Sequence, residues 1–112
     1  MTRTHPLIEF HNLMQCAKET KYDSQERIDI CIRMFDVLLY YGQQEKYRQE
    51  ILKKNHFKLF RTGRDKSLQF SNEMKGKYKH VFYPYISKFE NFLAKYDPDE
   101  RELEIRMQNE II

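Results

Sequence analysis

The sequence predicts an all-α protein, a compact bundle of four to five helices, on three observations. Apolar residues recur at three- and four-residue spacing in successive stretches, most of those stretches open on a cap residue, and the longest carries an aromatic stripe. In that stripe Tyr78, Phe82, Tyr85, Phe89, Phe92 and Tyr96 follow one another at steps of 4, 3, 4, 3 and 4, with Ile86 and Leu93 widening the same face. A stripe at that spacing is a core face.

Each element has its own local reason. Pro6 follows Thr4 and His5 as caps, and Leu7, Phe10, Leu13, Met14 and Ala17 line one face, which predicts a helix over 6 to 19. Asp23 and Ser24 cap a second helix, with Glu26 placed to reach back. Its apolar residues form two faces, Ile28, Cys31, Ile32, Phe35, Leu38 and Leu39 on one and Ile30, Met34, Val37 and Tyr41 on the other. Only Asp29, Arg33 and Asp36 remain as a polar ribbon, so this helix is expected to pack on two sides and to end at Gly42. A third helix is expected from Gln43, carrying Tyr47, Ile51, Leu52 and Leu59 inward and mixed-sign pairs among Lys46, Glu50, Lys53 and Lys54 outward.

The stretch HFKLFRTGRDKSLQF, 56 to 70, has two readings. The helix runs on to Arg61 and stops at a Thr62-Gly63 turn, or the segment is a β-hairpin at 56–71 with that turn at its tip, giving an α+β fold. Clean alternation fails at the adjacent Leu59 and Phe60, which favours helix. In the aromatic helix Pro84 predicts a kink or a helix start. Asp97-Pro98-Asp99-Glu100 reads as a cap, a proline and acids opening an acidic C-terminal helix over 97–112. No repeat or linker divides the chain, so 1–112 reads as a single helical domain.

Composition bounds the function. With 40% hydrophobic and 33% charged residues the chain is globular, and VLLYY at 37 to 41 is its longest apolar run, so a soluble, intracellular, cytoplasmic protein without membrane association is expected. Cys16 and Cys31 are expected as buried, reduced thiols. His5, His11, His56 and His80 lack metal-ligand spacing, no glycine-rich phosphate loop is present, and a Cys-His pair assembled in space from Cys16 or Cys31 would sit among apolar neighbours, where thiols are inert. Neither a metal, a cofactor nor enzymatic activity is therefore expected.

Charge is where the chain departs from a plain helical domain. Residues 46–80 hold 11 Lys and Arg against 3 Asp and Glu, a net +8, whereas 97–112 hold 2 against 6, a net −4. Segregation on that scale exceeds what solubility asks for, and it attracts phosphate backbones, anionic lipid or an acidic protein surface. The leading reading is a non-enzymatic accessory or regulatory module that binds DNA or RNA without sequence specificity. Its phosphate contacts would be Lys53, Lys54, Lys58, Arg61, Arg64, Lys75, Lys77 and Lys79. Tyr83, pointing away from the stripe beside Lys79 and Ser87, would be a stacking residue, with Phe57 and Phe60 as further candidates. The alternative is a protein–protein interaction module, an inhibitor or adaptor of a larger machine, docking through Leu103, Met107 and Ile111 of the C-terminal helix. Homodimerisation through that helix, or the acidic tail lying across the basic segment, would account for the same charges.

Overall fold

The computed structural model describes residues 4–21, 24–74 and 76–100. Among them every regular element is helical, and the fold class is all-α. The order is α1 (Pro6–Glu19), α2 (Gln25–Gln43), a 3-10 turn (Glu45–Tyr47), α3 (Arg48–Lys53), α4 (Phe57–Glu73) and α5 (Lys77–Tyr96). No helix among the described residues is long and apolar enough to cross a membrane. The chain divides into two compact units, Met1–Gln49 and Glu50–Ile112.

In the first unit His5 and Ser24 make the caps expected of them, while Asp23 lies outside the described residues. The His5 Nδ1 accepts the Leu7 N–H at 3.1 Å, and the Ser24 Oγ accepts the Arg27 N–H at 3.2 Å, each satisfying one of the donors that a helix start leaves unpaired. Between the helices the Arg27 Nη1 donates to the Thr20 carbonyl at 3.3 Å. Leu13 and Ala17 of α1 form one apolar cluster with Ile30 and Val37 of α2, flanked by Phe10 and Met34. Both apolar faces of α2 hold buried residues, Ile28, Phe35, Leu38 and Leu39 on one and Ile30, Val37 and Tyr41 on the other, while Asp29, Arg33 and Asp36 stay exposed. The helix runs through Gly42 to Gln43, and Gly42 is a buried interior residue whose carbonyl accepts from the Arg48 Nε at 3.2 Å. Cys16 corrects the sequence reading: it is exposed, because the buried line of α1 runs through Pro6, Leu13 and Ala17 and leaves position 16 to one side.

The second unit is built on the helical hairpin of α4 and α5. The expected third helix is broken into two, because a Schellman motif stops α3: the His56 N–H donates to the Ile51 carbonyl at 2.9 Å and the Asn55 N–H to the Leu52 carbonyl at 3.4 Å. Asn55 supplies the left-handed residue at φ 53°, a conformation asparagine tolerates better than other side chains that carry a Cβ. Leu52, expected inward, is exposed.

The hairpin reading of 56–71 is not supported, and neither is a turn at Thr62-Gly63. Helix α4 is continuous across both, and the true turn lies at Gly76, whose φ of 64° suits a residue without a Cβ. Gly63 has a packing reason instead. A Cβ built there would come within 2.7 Å of the Phe89 ring, so the glycine is what lets α5 seat its aromatic face on α4. Ser67 and Ser71, one and two turns on, are also buried, and the Ser67 Oγ donates to the Gly63 carbonyl at 2.7 Å. The aromatic stripe fills the space these small residues leave. Phe60 stacks on Phe92 at 4.2 Å between centroids, and Phe70 meets Phe82 at 5.1 Å, an antiparallel pairing of the two helices. Pro84 does not start the helix. It is exposed on the outer side of α5, where the hydrogen bond its missing N–H would have made is lost toward water.

Candidate polyanion-binding surface

The basic side chains of the second unit differ in where their charge is held. Lys53, Lys54 and Lys58 are exposed around the α3–α4 junction. The Lys54 Nζ lies 3.4 Å from the Glu50 Oε1, the expected i, i+4 pair, and is 63% exposed, so it is held weakly. Lys53 and Lys58 make no ion pair among the described residues.

Arg61 and Arg64, one turn apart on α4, behave differently. The Arg61 Nε and Nη2 both donate to the Asp97 Oδ2, at 2.9 and 2.7 Å, and Nη2 also reaches the Asp99 Oδ2 at 3.3 Å. Asp97 is 1% exposed, and its other oxygen accepts the Asp99 N–H at 3.0 Å, so one carboxylate caps the 98–100 turn and neutralises the arginine together. The hydrogen bond to Asp97 raises the Arg61 pKa further above its ordinary value against the opposing effect of partial burial, with the charges of Asp97, Asp99 and Glu100 adding to the rise. Arg64 donates from Nη1 to the Glu100 Oε1 at 3.0 Å, and its Nε lies 3.6 Å from the Asp65 Oδ1. The start of the acidic tail therefore does lie on the basic segment, at these two arginines.

On α5, Lys79 and Tyr83 both face solvent, Tyr83 at 61% exposure, and Ser87 continues that outer face. Antiparallel pairing puts Lys79 level with the C-terminal end of α4, about 20 Å along the helix from Lys58. The candidate residues thus form two exposed groups at opposite ends of the hairpin, with the neutralised arginines beside the first. Lys77 is the first residue of α5, and Lys75 lies outside the described residues, as do Leu103, Met107 and Ile111.

Phe57 and Phe60 are not available for stacking: both are buried, at 4% and 0% exposure, and both pack on Phe92. Sequence reasoning took Asp97 only as a helix cap and missed it as the partner of Arg61. The one signal was the opposition of charge between 46–80 and 97–112, which says that the segments attract but not which residues meet. No group of three or more His, Cys, Asp or Glu among the described residues is placed to hold a metal ion. Comparison with known proteins gives no matching family, no similar curated protein and no similar solved structure.

Proposed function

We propose that this chain is a non-enzymatic accessory or regulatory module whose basic segment engages the phosphate backbone of nucleic acid without reading its sequence. The observation that carries this is the net +8 of residues 46–80, together with the exposure of Lys53, Lys58 and Lys79 free of ion pairs among the described residues. Tyr83 adds an exposed ring one turn from Lys79, suited to stacking on an unpaired base. The lysines at the two ends of the α4–α5 hairpin would meet phosphates several nucleotides apart, and Arg61 is a structural residue rather than a contact because Asp97 already holds it.

The test is binding of mixed-sequence oligonucleotides followed by fluorescence anisotropy as salt is raised. Affinity is expected to fall by about tenfold or more between roughly 50 and 200 mM salt, since each phosphate neutralised releases condensed counterions. Lys79→Ala should weaken binding similarly for all sequences. Absence of detectable binding at low salt overturns the reading and leaves an acidic protein surface as the polyanion the lysines serve.

A further inference from the structure

We infer that Glu100 is a built-in competitor for the anion site at Arg64, so that the opening of the acidic tail regulates polyanion binding by the second unit; the inference rests on the polyanion reading above. The tail meets the basic segment in two ways that differ in kind. Asp97 is committed: it is buried, it takes both Arg61 bonds on one oxygen and the Asp99 N–H on the other, and its own N–H donates to the Leu93 carbonyl at 2.9 Å. Displacing it would undo the end of α5 and strand a carboxylate in the protein interior.

Glu100 is under no such constraint. Its side chain is 28% exposed and that of Arg64 is 25% exposed, and the single hydrogen bond between them at 3.0 Å leaves both within reach of water. A phosphate approaches a guanidinium through the same forked N–H groups that a carboxylate uses, so the Arg64 Nη1 cannot serve Glu100 and a phosphate oxygen together. Arg64 lies on α4 between the exposed Lys58 and the end of the helix that leads into α5 and Lys79. Glu100 thus occupies the one arginine of the pair that a ligand could recruit. Asp97 sets where the tail begins, and Glu100 sets what a phosphate must displace.

The experiment compares wild type and Glu100→Gln in the full chain, titrating a mixed-sequence single-stranded oligonucleotide at several salt concentrations. Freed from Glu100, with only the exposed Asp65 still 3.6 Å from its Nε, Arg64 should raise affinity about twofold to fivefold, the measure of one partly exposed ion pair, and steepen the log–log salt slope by about 0.7, the increment of one further phosphate contact on a single strand. The gain should vanish in an Arg64→Ala background, and Glu90→Gln, which removes an exposed charge from the outer side of α5, should not reproduce it. Thermal melts followed by circular dichroism check that each variant is folded. Wild type that binds while Glu100→Gln binds no better overturns the competition and leaves the polyanion reading standing. An equal gain with or without Arg64, or an equal gain from Glu90→Gln, also overturns it, since net charge alone would then be the cause. If neither wild type nor Glu100→Gln binds, the polyanion reading fails and the competition with it.

Discussion

The two units solve the same problem, packing one helix against the next, with opposite distributions of bulk. In α1 and α2 the apolar volume is shared: Leu13, Phe10 and Ala17 on one side meet Ile30, Met34 and Val37 on the other. In α4 and α5 it is divided. Helix α5 presents Phe82, Tyr85, Phe89 and Phe92, while α4 answers with Gly63, Ser67 and Ser71 beside the rings of Phe60 and Phe70. The difference teaches that a strongly aromatic helix needs a neighbour that yields space, and that the yielding residues look, in sequence, like punctuation.

The largest effect is expected where large meets small. Phe89→Ala, at a site with 0% exposure, should cost about 3–5 kcal/mol in chemical denaturation, because the glycine opposite has no side chain with which to fill the hole. Leu13→Ala in the shared core, where flexible neighbours Phe10 and Met34 are partly buried and can shift, should cost nearer about 2–3 kcal/mol. A Leu13→Ala loss equal to or above that of Phe89→Ala would break the comparison.

Next in size is the Arg61–Asp97 bridge. Arg61→Met leaves the Asp97 carboxylate, 1% exposed, without its cation, and with the arginine's own site open to water on one side the loss is expected at about 2–3 kcal/mol. Asp97→Ala should lose more than Asp97→Asn, because asparagine can still accept the Asp99 N–H. Equal losses from the two would mean that the cap contributes nothing.

The smallest and most discriminating effect belongs to Gly63→Ala. In a helix interior this exchange ordinarily stabilises by up to about 1 kcal/mol, yet here the new methyl would meet the Phe89 ring, and a net loss of about 1–2 kcal/mol is expected. In a Phe89→Leu background the sign should reverse, since the smaller side chain makes room. Thermal melts of the four proteins of that cycle read the coupling directly, and a stabilising Gly63→Ala in the native background would refute the close-approach account.

What could be read from the chain alone was whatever depends on near neighbours. The helix 6–19, the Ser24 cap, the exposed ribbon of Asp29, Arg33 and Asp36, the inward stripe from Tyr78 to Tyr96 and the outward Tyr83 are all matters of periodicity and caps, which act within a few residues. What only the tertiary structure decided depends on what stands opposite. Gly63 serves as a helix interior rather than a turn because a phenylalanine 26 positions later needs its space, and Pro84 is tolerated within α5 because it falls on the solvent side. Asp97 is a buried counter-ion as well as a cap because Arg61 lies across from it. The sequence shows that the charges of 46–80 and 97–112 attract, since Coulomb attraction follows from composition. Which arginine is committed to the structure and which stays within reach of a ligand is set by the burial of its carboxylate partner, 1% exposed for Asp97 against 28% for Glu100, and burial belongs to the fold.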